Sequence, residues 1–62
     1  MNFNGFVGKV VRIDLVSSSA YYYKGKVLEA DDEFVRLIDV KGRDVIVRTT
    51  DILNLKEDPN GE

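Results

Sequence analysis

The sequence predicts a small all-β domain, a five-stranded and strongly bent antiparallel barrel that begins with a short helical turn. Three observations lead to this prediction. Apolar and polar residues alternate in short segments, turn residues separate those segments, and no segment long enough for a helix has helical periodicity. Because five strands in 62 residues leave room only for tight connections, the sheet is expected to curl on itself as a meander.

Each element has its own local signal. In the first strand, Val11, Ile13 and Leu15 fall on one face and polar residues fall on the other. Gly25 lies inside the second strand, where glycine indicates a bend or a close approach of another backbone. Gly42 favours a tight hairpin between the third and fourth strands. In chain order, the sequence predicts a helical turn or an apolar lead-in at residues 2–7, strands at 9–16, 21–30, 34–40, 44–48 and 52–56, and a 3₁₀ corner at 49–51.

The chain is expected to form one domain over residues 1–56, followed by a flexible tail at 57–62 that has no apolar anchor. A domain this short buries only about 60% of its unfolded surface, and it has no cysteine with which to form a disulfide. Small domains without such support often gain stability by associating. Self-association is therefore expected, with the short fourth and fifth strands as edges available for pairing.

The charge balance narrows the classes of partner. With 9 basic and 11 acidic residues the formal net charge is −2, and no strand face is predicted to carry clustered lysine or arginine. Both points argue against duplex DNA as a partner and disfavour a DNA-associated barrel.

The N-terminus lacks the basic start and apolar run of a signal peptide, and no apolar stretch approaches the roughly 20 residues of a membrane span. A cytoplasmic protein with no membrane partner is expected.

The two residue types that serve most often as zinc ligands, histidine and cysteine, are missing from the sequence. It contains no histidine, no cysteine and no glycine-rich phosphate loop, so no enzymatic activity, metal site or cofactor is expected. The serines at 17–19 have no histidine to act as a base. The carboxylates at 31–33 lack the spacing of a calcium loop and are interpreted as a solvated turn. At most two of the tyrosines at 21–23 can share a strand face, which favours core or interface packing over ligand stacking.

Four segments in sequence order carry a family resemblance. Within residues 7–13, the predicted first strand is entered through Gly8. Residues 23–27 have the pattern aromatic, any residue, Gly, any residue, aliphatic. Residues 32–37 read Asp, any, aromatic, aliphatic, Arg, aliphatic, and residues 47–52 read aliphatic, Arg, Thr, any, any, aliphatic. Over roughly residues 3–56 the chain resembles the Sm-like family, which includes bacterial host-factor RNA chaperones and archaeal Sm-like proteins. The resemblance implies an SH3-like barrel of the Sm-like fold that assembles into a hexameric or heptameric ring.

The resemblance also implies a ligand and a site. In the family, the two segments that correspond to residues 32–37 and 47–52 meet on the pore-side rim of the ring. There they hold single-stranded RNA, usually rich in uridine or adenine, in a ribonucleoprotein. By position, Phe34 would stack on a base and Arg48 would cover that base from the opposite side. Asp32 would brace the loop through backbone hydrogen bonds. Thr49 and Asp51 fall within the same implied RNA-binding site.

The sequence departs from the family pattern at three points. Arg36, also within the implied RNA-binding site, stands where the family usually has asparagine, and Thr49 stands where it usually has glycine. The spacing from Gly25 to Asp32 is one residue longer than usual, which predicts a bulge between residues 27 and 31. The changes leave the fold prediction in place and bear mainly on how a ligand would be held.

Two roles for Arg36 stay open. In one, its charge favours contacts with phosphate over contacts with bases. In the other, it pairs with Asp32, Glu33 or Asp51 and neutralises the site.

Alternatives to an RNA site also stay open. Phe34 could be an ordinary core residue at the start of a strand, and Arg48 could be a surface cation or part of an ion pair between subunits. In that case the chain would be an SH3-like barrel that serves as a protein-interaction or structural module without RNA binding.

Overall fold

A computed structural model describes residues 3–58 of the chain. These residues form five antiparallel strands in one sheet, so the predicted all-β fold is confirmed. The strands are β1 (Val10–Leu15), β2 (Tyr22–Ala30), β3 (Phe34–Asp39), β4 (Asp44–Arg48) and β5 (Ile52–Glu57), and two 3₁₀ turns lie at Asn4–Phe6 and Thr49–Asp51. Both predicted turns are present, and the strand ends lie within one residue of the predicted ends. No helix in this part of the chain has the length and apolar character needed to cross a bilayer.

The order of the strands requires a strongly bent sheet. The order is β4-β3-β2-β1-β5, so β4 and β5 lie at opposite edges. In a flat sheet these edges would be about 19 Å apart. The connection from Arg48 to Ile52 can span at most about 14 Å, so the sheet must curl to bring the two edges together. Within residues 3–58, β4 and β5 do not pair with each other, and the predicted barrel is therefore bent but not closed.

One face of the bent sheet carries the hydrophobic core. The alternation predicted for β1 is confirmed, because its three apolar side chains are all buried. Phe3 and Phe6 pack against the core from the first 3₁₀ turn, so this segment is a helical turn rather than an extended lead-in. The core consists of Val11, Ile13, Leu15, Val27, Val35, Leu37 and Val47.

Gly25 marks the closest approach between β2 and β3. A Cβ atom at this position would lie 2.7 Å from the Cα of Asp39 and still closer to the carbonyl oxygen of Ile38. The β2–β3 register then shifts between Val27 and Glu29. The predicted close approach and the predicted bulge are thus both confirmed, and the bulge takes up the additional residue of this strand.

At the C-terminal end, the sheet continues past the predicted boundary of the domain. β5 runs to Glu57, and the amide of Asp58 donates a hydrogen bond to the carbonyl oxygen of Val10 at 2.9 Å. The first two residues of the predicted flexible tail are therefore held by the sheet. Residues 59–62 of that tail, and residues 1–2 before the helical turn, lie outside the described residues.

The β3–β4 hairpin is organised by a buried carboxylate that the sequence analysis did not single out. Asp39 is only 8% exposed. It accepts hydrogen bonds from the amides of Lys41 and Arg43, both at 2.9 Å, and from the Arg43 guanidinium at 3.1 Å. Gly42 completes the turn with φ of +81°, a conformation that favours glycine. The hydrogen bond from the Arg43 amide is the largest cause that lowers the pKa of Asp39 below its ordinary value of 3.8.

This pKa shift predicts a loss of stability in acid. Because the carboxyl pKa is lower in the folded than in the unfolded state, its stabilising effect is present above pH 3.8 and is lost as the pH falls through the folded-state pKa. We expect the urea midpoint to fall between roughly pH 5 and roughly pH 3, and to fall less in Asp39→Asn. Equal falls in the two proteins, measured by circular dichroism, would contradict a stabilising role for the Asp39 charge.

Candidate nucleic-acid interface

Phe34 and Arg48 stand directly opposite each other in the β3–β4 register. Their neighbours Val35 and Val47 are buried in the core, so Phe34 and Arg48 lie on the opposite, outward face. Phe34 is partly buried and Arg48 is exposed. The sheet thus brings together the two residues that the sequence analysis placed on either side of a base, and it does not place Phe34 in the core.

The side chains at this position border two cavities. One measures about 270 Å³ and is lined by Glu33, Phe34, Ile46 and Arg48. The other measures about 480 Å³ and lies between β4 and the end of β1. Ile46 and Arg48 line both cavities. Arg48 therefore borders open space in both cavities.

Within residues 3–58, Arg48 differs from the other arginines because its side chain has no partner. Arg12 pairs with Asp14, and Arg43 pairs with Asp39. Arg36 also pairs with carboxylates. Among residues 3–58, Arg48 alone of the arginines makes neither an ion pair nor a hydrogen bond through its side chain. Its charge and its donors are therefore available to a ligand.

Thr49 connects the two loops that flank this pair. Its hydroxyl donates to the carbonyl oxygen of Asp32 at 2.8 Å, and its amide donates to the carbonyl oxygen of Glu33 at 3.0 Å. A glycine at this position would have no hydroxyl to make the first bond. The threonine that departs from the family pattern thus fixes the corner against the β2–β3 turn.

The carboxylate that braces the β2–β3 turn is Asp31, and not Asp32 as predicted. The Asp31 side chain accepts hydrogen bonds from the amides of Glu33 at 2.7 Å and Phe34 at 3.0 Å. An aspartate often caps amides two and three residues ahead in this way. Asp32 contributes its backbone carbonyl, which accepts the Thr49 hydroxyl. All three acidic residues of this turn are exposed, in agreement with the predicted solvated turn.

Asp51 is near the site but is used for structure. Its carboxylate accepts hydrogen bonds from the amide and the hydroxyl of Ser17, both at 3.0 Å. Its carbonyl oxygen accepts the Val16 amide at 2.8 Å. Asp51 therefore ties the loop after β1 to the corner before β5, and its carboxylate is turned to that loop rather than to Arg48.

Arg36 is neutralised, but by different residues from those expected. Its guanidinium contacts Asp44 at 2.7 and 3.0 Å and Glu29 at 3.0 Å. The hydrogen bond with Asp44 is the largest cause that raises the pKa of Arg36, and the same bond lowers the pKa of Asp44. Pairing with Asp32, Glu33 or Asp51 was therefore the wrong expectation. Arg36 lies on the outward face two residues from Phe34 and adds no unpaired charge to the site.

The three tyrosines divide between the two faces, as the alternation requires. Tyr21 and Tyr23 share a face and their rings meet edge to face with 5.4 Å between centroids. Tyr23 packs against the core, which agrees with the expected packing role. Tyr22 lies on the other face, where the Arg12 guanidinium sits 4.0 Å from its ring centroid.

Possible metal ligands and known relatives were also considered for this site. Within the described part of the chain, no three carboxylates are grouped so that they could hold a metal ion.

Comparison of the chain with protein-family models, with curated proteins and with solved structures found no match.

Proposed function

We propose that the chain is a ring-forming, non-catalytic Sm-like protein that binds single-stranded RNA on a rim built around Phe34 and Arg48. The observation that supports it most is the cross-strand pair, in which an outward aromatic faces an arginine that lacks a partner among the described residues. Stacking a base on an aromatic side chain contributes about 1–3 kcal/mol and tolerates any base. A guanidinium can stack on the same base or donate two parallel hydrogen bonds, which lysine cannot reproduce.

The spacing of the pair suits a single base. Side chains directly opposite in an antiparallel sheet have Cβ atoms about 4.5–5.5 Å apart, so a base on Phe34 stays within reach of the longer Arg48 side chain. The hydrogen bonds from Thr49 to the two neighbouring carbonyl groups hold the rim in place. Such prior ordering reduces the entropy lost on binding.

Assembly follows from the two open edges of the sheet. Among the described residues, β4 and β5 each present an unpaired edge, and each carries a largely exposed aliphatic residue, Ile46 at 65% and Leu53 at 68%. Unprotected edges of this kind invite pairing with another chain. If β4 of one copy pairs with β5 of the next, repetition by rotation closes a ring. A hexameric or heptameric ring would repeat Arg48 around one mouth and concentrate positive charge there despite the acidic chain.

Direct binding measurements test the RNA part of the proposal. Fluorescence anisotropy with labelled uridine and adenine oligomers at low salt should give saturable binding by the full chain. An absence of binding to both oligomers would exclude single-stranded RNA as the ligand. In this proposal the protein is cytoplasmic, and its partners are RNA and further copies of itself rather than duplex DNA or a membrane.

Single charges introduced at the edges should prevent assembly. We expect Ile46→Glu and Leu53→Glu each to convert the ring to monomers, because a carboxylate buried at every subunit contact is costly to desolvate. The matched control is Val40→Glu, since Val40 is also exposed, at 69%, but lies outside the edge strands. Light scattering on the three variants gives the masses. Assemblies that survive both edge substitutions would show that β4 and β5 are not the contact.

A second candidate function is favoured by one observation. The Arg36 network with Glu29 and Asp44 cancels charge next to the proposed site, which suits a protein-interaction module better than a polyanion binder. Such an SH3-like module would take an extended peptide at an open edge through backbone hydrogen bonds. It would be monomeric and would not bind either RNA oligomer, so the measurements above separate the two functions.

A further inference from the structure

The outward face of β5, β1 and β2 carries a row of basic side chains. Arg12 stands directly opposite Lys24 on β2 and directly opposite Lys56 on β5. Lys26 lies two residues further along β2 and therefore on the same face. The neighbours of Arg12, Val11 and Ile13, are fully buried, so the four basic side chains point away from the core. We call Arg12, Lys24, Lys26 and Lys56 the cationic row. The expectation that no strand face carries clustered basic residues is therefore wrong.

The cationic row is a destabilising arrangement that the fold only partly offsets. Like charges directly opposite each other weaken a sheet, and Arg12 takes part in two such pairs. Asp14 accepts a hydrogen bond from Arg12 at 3.2 Å, and Asp58 pairs with Lys24 at 3.0 Å. Lys26 and Lys56 make no ion pair with the described residues. Four cations against two carboxylates leave an excess of two positive charges here, on a chain whose net charge is −2.

Two neighbouring features indicate what this face would hold. Lys24 holds an anionic oxygen group, the Asp58 carboxylate, at 3.0 Å, which shows that the row can contact such a group. Tyr22 lies beside the row, is 48% exposed, and has its ring fixed by the Arg12 guanidinium at 4.0 Å. An exposed aromatic next to a line of cations is the combination with which proteins follow a single strand of nucleic acid.

We infer that the cationic row binds the phosphate backbone of single-stranded RNA without reading its bases. This inference rests on the proposed RNA-binding function and adds a second contact surface to it. With strands about 4.8 Å apart, the three cations across β5, β1 and β2 span about 10 Å, which matches a run of phosphates better than one isolated anion. Charge complementarity and the adjacent Tyr22 ring favour RNA over an acidic protein surface as the occupant.

The inference predicts how binding depends on salt. Each phosphate neutralised on a single strand contributes a slope of about −0.7 to log K against log salt. We expect Lys26→Gln and Lys56→Gln each to reduce the slope by about 0.7, and the double variant by about 1.4. The ratio of affinities for uridine and adenine oligomers should not change, because phosphate contacts carry no sequence information. Both substitutions remove lysines that make no ion pair within residues 3–58, so no ion pair of the described fold is lost.

Two controls separate this effect from other causes. Lys41→Gln removes the same charge from the β3–β4 hairpin, outside the three strands that carry the row, and should reduce the slope less than either row variant. The row variants should unfold at the same temperature as the unaltered chain or at a higher one, because they relieve repulsion between like charges. A lower unfolding temperature together with weaker binding would attribute the loss to misfolding and overturn the inference.

The outcomes distinguish this inference from the proposed function. If RNA binds and Phe34→Ala weakens it, but the double lysine variant keeps the original slope, the cationic row is not a phosphate site and the proposed function stands. If the lysine variants change the preference between uridine and adenine, the row reads bases and the inference is wrong. If the unaltered chain binds neither oligomer, both the proposed function and the inference fail.

Discussion

Replacing Phe34 or Arg48 by alanine is expected to weaken the binding of a uridine oligomer about 5- to 150-fold, the equivalent of about 1–3 kcal/mol for one stacked base. Phe34→Ala removes the surface on which the base lies. Arg48→Ala removes the one arginine of the described residues whose donors are unengaged. Neither side chain belongs to the core, so both variants should keep the fold and the mass of the assembly.

Arg36→Ala is the matched control for this prediction. Like Arg48→Ala, it removes one guanidinium from the outward face of the sheet, where Arg36 lies on β3 beside Phe34. The Arg36 guanidinium, however, is already bound to Asp44 and Glu29. We expect its affinity for RNA to change less than that of Arg48→Ala. If Phe34→Ala and Arg48→Ala bind as tightly as the unaltered chain, or if Arg36→Ala causes the largest loss, the rim proposed here is not the binding site.

Of the glycines that the structure describes, Gly25 is expected to lose the most stability when it is replaced by alanine. The new Cβ would overlap the backbone of β3 at Ile38 and Asp39, and backbone atoms in a paired strand cannot rotate away as a side chain can. Overpacking typically costs about 1–3 kcal/mol and occasionally more, and overlap with a paired backbone is expected at the upper end of that range. A domain of 62 residues has a total stability of only about 3–9 kcal/mol. Thermal unfolding should therefore shift down by more than about 10 °C, or the variant should fail to fold.

Gly5→Ala provides the control. Gly5 lies in the first 3₁₀ turn, and a methyl group added there would have no atom of a non-neighbouring residue within 4 Å. It is also not one of the described glycines with positive φ. The Gly5→Ala protein should unfold at nearly the same temperature as the unaltered chain. A Gly25→Ala protein as stable as Gly5→Ala would mean that β2 and β3 are not packed as closely as described.

Local sequence signals were sufficient to predict most of the fold. The buried positions of β1 follow from strict alternation, and Gly25 and Gly42 mark the close approach and the hairpin that the structure contains. The bulge in β2 was predicted from a spacing of one additional residue. Each of these features depends on residues near one another in the chain, where periodicity and turn preferences are informative.

Features that depend on the pairing of distant strands could not be predicted in the same way. Arg36 pairs with Glu29 and Asp44 because β3 lies between β2 and β4. The cationic row exists only because β1 lies between β2 and β5, which aligns Arg12 with lysines far away in sequence. The positions of Phe34 and Arg48 were predicted, whereas the bracing carboxylate was assigned to Asp32 instead of Asp31, since capping depends on backbone geometry within the turn.

The proposed RNA rim and the proposed ring both depend on the way the sheet bends. A sheet of five short strands bends far enough to enclose a small core, yet no other strand within residues 3–58 covers the outer edges of β4 and β5. Pairing of these edges between copies would complete the sheet and carry the Phe34–Arg48 pair around a common axis. Both the proposed ring and the repeated RNA rim therefore depend on the open edges of β4 and β5.

Native mass spectrometry of the full chain at micromolar concentration measures whether these edges join copies of the chain. We expect a single closed assembly of six or seven copies of the 7.0 kDa chain. A folded monomer as the dominant species under the same conditions would contradict it.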